Sequence, residues 1–217
     1  MWRGGANIKT LKNMEDEQMP TQSSIHFYLN WAKERIDEMD ATLASLESQA
    51  SEVQADARVK ANQAIADLGK KRNDFRDTVK KQAEANEASW IRTKAQLESE
   101  WTAFETEVKQ YVDSFGKKIE QQQATFKLQA AAQVRAWREA ADTLRSAGKE
   151  FAAERRGEIE AIVKRMEGDA AAAEEKLQKL NQAGMQSWSA LTAALTETRG
   201  AFDRANQAAQ EAFKRAT

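Results

Sequence analysis

Histidine occurs once in the chain, as His26, and cysteine not at all. A zinc-type centre built from imidazole and thiolate therefore has no ligand set. Di-metal centres that pair glutamates with Glu-x-x-His motifs fail for the same want of histidine. His26 lies in an aromatic-rich helix start and reads as structural. Gly69-Lys70 lacks the earlier glycine that a phosphate-cradling loop needs, and no Gly-x-Ser-x-Gly elbow is present. Carboxylates are abundant, but they alternate with lysine and arginine on helical surfaces, where solvation accounts for them. The expectation is a non-enzymatic protein with no catalytic residues, no cofactor, no metal site and no small-molecule substrate.

One basic stretch, RVKANQAIADLGKKRNDFRDTVKK, could meet phosphates, with Arg72, Arg76 and Lys80 on one helical face and Phe75 beside them. Its neighbours oppose that use. Residues 34–56 carry seven acidic groups and one basic, residues 58–81 eight basic and three acidic, and residues 84–107 are acidic again. With a net charge of −1 over 217 residues, nucleic acid is not the partner expected from the sequence. Alternating blocks of this kind can instead set the register between antiparallel helices.

The elements that carry these residues are helical. Ala, Glu, Gln, Lys, Arg and Leu dominate, all good helix formers, and Pro20 is the one proline. Mean hydropathy is −0.76, which predicts a thin core and long helices rather than a thick globule. The N-terminus shows no signal-peptide pattern. The longest uncharged run, residues 180–196, is broken by Asn, Gln, Ser and Thr and falls short of the ~20 apolar residues of a membrane span. A soluble, cytoplasmic protein is expected.

Large apolar residues recur with a fixed spacing. Trp90, Leu97 and Phe104 are seven apart, as are Trp137, Leu144 and Phe151, and again Trp188, Leu195 and Phe202. A step of eleven extends each triplet both ways, giving Val79 to Phe115, Phe126 to Ile162, and Leu177 to Phe213. Glycines precede each tryptophan by 20 or 21 residues, at Gly69, Gly116 and Gly168. This is an internal repeat of about fifty residues, with copies at about 69–115, 116–167 and 168–217. Steps of 11, 7, 7 and 11 average 3.6 residues per turn, so the stripe holds to one face of a straight helix. Ile25, Ile36 and Leu43 form a possible degenerate earlier copy.

Such a stripe needs an apolar partner. The fold class expected is all-α: long amphipathic helices in an antiparallel bundle or coiled coil, with a continuous-helix rod as the alternative. Gly116, Gly168 and Gly184 mark possible turns. Residues 1–22 differ in character, with no helical period, and read as a disordered or extended tail before an all-helical region 23–217.

Amphipathic repeats that mix eleven-residue steps are similar in style to those of exchangeable apolipoproteins over roughly residues 23–217, although that family punctuates its repeats with proline and this chain does not. FDRANQAAQEAFKRA and the overall texture also resemble uncharacterised coiled-coil proteins of alphaproteobacteria. That resemblance implies a bacterial helical protein and no particular activity. The leading function is therefore structural or scaffolding work through helix–helix association, with a second copy of the chain or another helical protein as partner. Peripheral binding to a lipid or granule surface through the same stripe is the alternative.

The first copy carries a second large row, Trp101, Val108 and Phe115, beside Trp90, Leu97 and Phe104. The third copy puts Thr192 and Arg199 on that row. Narrow faces cannot cover a wide one completely, so Trp101 and Val108 are expected to remain exposed unless the aromatic start Phe27-Tyr28-Leu29-Trp31 caps them. The six residues Trp90, Leu97, Trp101, Phe104, Val108 and Phe115 are accordingly the expected interaction site, within a dimer or larger assembly.

Overall fold

The computed structural model describes residues 19–83, 85–116, 119–149, 153–182 and 188–216. They form six helices and, among the described residues, no strand. These are α1 (Met19–Ala50), α2 (Ala55–Gln82), α3 (Glu87–Phe115), α4 (Ile119–Gly148), α5 (Ala153–Gln182) and α6 (Trp188–Ala216). The local signals agree with the boundaries. Pro20 sits in the first turn of α1, where its missing N–H costs nothing. Asn86 caps α3, its side chain accepting from the Ser89 N–H at 2.9 Å. Lys80 and Lys81 end α2, and Lys214 and Arg215 end α6, matching the negative C-terminal dipole.

Several expectations are corrected here. The helix begins at Met19, so residues 19–22 are helical, while the rest of the expected tail lies outside the described residues. No continuous rod forms. The eleven-residue steps from Val79 to Trp90 and from Leu177 to Trp188 each cross from one helix to the next. Phe151 falls between α4 and α5, outside the described residues. Phase was kept across these breaks without a helix to require it. Of the three glycines proposed as turns, Gly116 terminates α3, its N–H reaching the Val112 carbonyl at 2.9 Å. Gly168 lies inside α5, and Gly184 is outside the described residues.

Cross-helix contacts fix the directions. Between α1 and α4, Gln49 meets Gln121, Ser45 meets Thr125, Thr42 meets Gln129, Glu38 meets Gln133 and Lys33 meets Glu139. One number falls as the other rises, so the pair is antiparallel. Arg138–Glu174 and Arg145–Glu167 do the same for α4 and α5. Arg72 and Arg76 both reach Asp40, and Lys71 reaches Glu107. The basic block thus faces the two acidic ones.

Burial reveals a longer period than the spacing suggested. On α2 the buried residues are Ala61, Ile65, Leu68, Phe75 and Val79. Shifted by 98 they become Ile159, Val163, Met166, Ala173 and Leu177 on α5, all buried. The same shift carries Trp90, Leu97 and Phe104 on α3 to Trp188, Leu195 and Phe202 on α6, and Met39 and Leu46 on α1 to Trp137 and Leu144 on α4, again all buried. The structural unit is therefore a three-helix half, α1–α3, repeated as α4–α6. Volumes are exchanged between the halves. Phe75 corresponds to Ala173, while Ala61 corresponds to Ile159 and Met39 to Trp137. Of the shorter spacing, the copies around Trp90 and Trp188 fall on α3 and α6 at corresponding places. Its middle copy, around Trp137, belongs to a first helix instead.

Candidate functional site: the polar seam between the halves

All the expected interaction residues lie on α3 and face the chain's own core. Trp90, Leu97, Trp101, Phe104 and Val108 are buried, and Phe115 is half-buried. Trp90 stacks on Tyr28 of α1, centroids 5.7 Å apart and planes 12° apart. Phe115 packs its ring against Tyr111 at 5.1 Å. The expectation that Trp101 and Val108 stay exposed is overturned. Arg199 of α6 lays its guanidinium over the Trp101 ring, 4.6 Å from the centroid. Val108 lines a cleft of about 310 Å³ between α3 and α6, opposite Trp188. A narrow face can cover a wide one when a long cationic side chain spreads over an indole.

What the spacing did not disclose is where the polar groups go. Among the described residues every buried polar or charged side chain belongs to α1, α4 or α6: Glu34, Arg35, Glu38, Thr42, Ser45, Thr125, Gln129, Gln133, Thr198, Arg199 and Asn206. None belongs to α2, α3 or α5. The fully buried ionic and amide side chains thus gather where the halves meet.

The seam is densely bonded. Arg35 donates through both terminal nitrogens to Asp203, at 3.1 and 2.7 Å, and also to its neighbour Glu34. Arg199 donates to Glu38 at 2.6 Å and to Glu105 at 2.9 Å. The Gln133 amide donates to Glu38 at 2.9 Å and to the Leu195 carbonyl at 3.1 Å, and its oxygen accepts from Thr198 at 2.6 Å. Further along, Gln129 donates to Thr42 at 2.9 Å, and Asn206 donates to the Phe27 carbonyl at 2.8 Å. Burial pulls the Arg199 guanidinium down in pKa, but Glu38 and Glu105 outweigh it, and the net shift is upward. Burial pushes the Glu34 carboxyl up to about 7, with Arg35 opposing and Glu38 adding to the rise. Among the described residues one Glu34 oxygen, Oε1, finds no hydrogen-bond partner.

The seam is one-sided. Shifting by 98, Arg35 and Glu38 on α1 correspond to Gln133 and Ala136 on α4, while Asp203 and Arg199 on α6 correspond to Glu105 and Trp101 on α3. Ion pairs can form only on one side. Accordingly α6 packs on α1, and α3 makes no comparable contact with α4. A signal for this was present in the chain: Arg199 stands in a core row of the helical period, where a charge has to find a partner.

His26 is part-buried on α1, and burial lowers its imidazole pKa. Among the described residues no group of three acidic or imidazole side chains is placed to hold a metal ion, and no helix is long and apolar enough to cross a membrane. The chain matches no family model, no curated protein and no solved structure.

Proposed function

We propose that the protein is a non-enzymatic, preformed helical scaffold that works in the cytoplasm by helix–helix association. One observation carries the reading. The tryptophan, leucine and phenylalanine stripe, the most interactive surface the sequence offers, is spent inside the chain and tied down by buried ion pairs between the halves. Breaking such a pair leaves an uncompensated buried charge and costs about 3–5 kcal/mol. The body is thus built to stay closed, and association falls to its outer helix faces. Binding to a lipid surface through the stripe would require the halves to part and these charges to separate.

Tryptophan fluorescence discriminates the two uses. A closed scaffold emits in the blue without lipid, melts cooperatively and is unmoved by anionic vesicles. Red-shifted emission that turns blue only when vesicles are added would replace this reading with the lipid one.

A further inference from the structure

The geometry points to α5 as a self-recognition helix: two copies of the chain pair through it, antiparallel across a two-fold axis near Glu167. This rests on the scaffold reading and names its partner as a second copy.

The face concerned lines a groove of about 760 Å³ between α5 and α6. Its floor is apolar, with Trp137 and Met166, and its walls mix alanines, including Ala161 and Ala172 on α5 and Ala205 and Ala208 on α6, with charged residues of both helices. The equivalent groove of the first half, between α2 and α3, combines Leu68, Tyr111 and Phe115 with six charged residues, Asp74 and Glu107 among them. Both grooves carry charged residues, but Asp74, Glu107 and Gln110 of the first correspond to Ala172, Ala205 and Ala208 in the second. Alanine at these places lets a further helix approach closely, toward the short end of the 8–10 Å interaxial range.

Charge decides which helix fits. The groove face of α5 bears Glu158, Arg165, Asp169 and Lys176, whose signs run minus, plus, minus, plus. Glu158 and Lys176 are equidistant from position 167, and so are Arg165 and Asp169. An antiparallel second α5 therefore sets Glu158 against Lys176 and Arg165 against Asp169, twice each. Between them Ile162 comes to the level of Ala172, and Ala161 to that of Ala173, which the chain's own core already buries. An isologous contact needs a patch complementary to itself, and this face is one. The inner charges are available for it. Arg165 and Asp169 are exposed and, among the described residues, neither makes an ion pair. The outer two already touch α6, Lys176 through Glu197 and Glu158 through Arg215. Gly168, beside the axis, has open space where a side chain would stand, although glycine is a poor helix residue.

The test uses charge reversal on the full chain, read by light scattering and sedimentation, with circular dichroism confirming that helicity is kept. Wild type should be a dimer. Arg165→Asp places aspartate against aspartate at both sites, and Asp169→Arg places arginine against arginine. Each variant alone should dimerise about tenfold or more weakly, since like charges across an interface are strongly disfavoured. Mixed in equal amounts, the two variants should recover the dimer, because each then supplies the charge that the other lacks. No role confined to one chain predicts that recovery. A wild type that stays monomeric at about 100 μM, a loss not recovered on mixing, or single variants that dimerise like wild type would each overturn the proposal. In the last case helix–helix association stands and only its site is moved. A monomer whose tryptophan emission shifts on anionic vesicles sinks the scaffold reading as well.

Discussion

Trp101 and Arg199 are the same position in the two halves, 98 residues apart, and they touch, the guanidinium 4.6 Å from the indole centroid. A residue can meet its own equivalent only at the axis that relates the two copies. The contact therefore locates an approximate two-fold axis passing between α3 and α6. The α1/α4 pairing obeys the same axis, since its contacts run symmetrically about Ile36 and Val134. The two residues also show how the symmetry was broken. An aromatic on one side and a cation on the other give an attractive pair, where two tryptophans or two arginines would give a crowded or repelling one.

This arrangement makes Arg199 a costly seam residue to remove. Arg199→Ala strips Glu38 of its buried cation and leaves it the Gln133 amide. Denaturant unfolding should show a loss of about 3–5 kcal/mol, the range for an orphaned buried charge. Lys164→Ala, at an exposed site of α5, should stay within about 0.5 kcal/mol. A comparable loss from both would mean that the seam does not hold the halves together.

Two glycines should respond in opposite directions to alanine. At Gly148 an added Cβ would lie 2.5 Å from Ile159 Cγ2 across the α4/α5 contact, so Gly148→Ala must push the two helices apart. Overpacking of this kind typically costs about 1–3 kcal/mol. At Gly69, within α2, nothing lies within 4 Å, and Gly69→Ala should stabilise by up to about 1 kcal/mol through helix propensity. Thermal melts of the pair check the signs. Two destabilised variants would contradict the α2 environment described above.

The Glu34 carboxyl gives the seam a pH dependence. In the fold it titrates near 7, against 4.5 ordinarily, so between these values the folded chain holds a proton that the unfolded chain has released. Its contribution is at its most favourable below about 4.5 and is lost as pH rises through 7. Glu34→Gln keeps the shape and removes the titration. The variant should gain on wild type in melting temperature from about pH 4.5 to about pH 7 and level off above that. Parallel curves over that interval would show that Glu34 is charged in the fold throughout.

Much of this protein was readable from one dimension. Helices follow from composition, and the buried face follows from steps of seven and eleven, because side chains that share a helix face must recur with its period. Trp90, Leu97 and Phe104, with their counterparts Trp188, Leu195 and Phe202, are core residues as the spacing required. The facing of acidic and basic blocks was legible for the same kind of reason, Asp40 meeting Arg72 and Arg76.

Tertiary structure decided what periodicity leaves free. A stripe states that a face is buried and is silent about what buries it, so Trp101 and Val108 could be an interface or a core, and the approach of α6 made them core. Phase is conserved through a turn as easily as through a helix, so Gly168 could stand inside α5 while the chain reversed elsewhere. The 98-residue unit stayed hidden because exchanges such as Phe75 for Ala173 conserve burial without conserving side-chain size. Glu34, Arg35, Glu38 and Arg199 looked like any surface charges, since a charge can be buried only where its partner arrives. For Arg35, Glu38 and Arg199 those partners come from helices more than ninety residues away in sequence, while Glu34 is held by its neighbour Arg35.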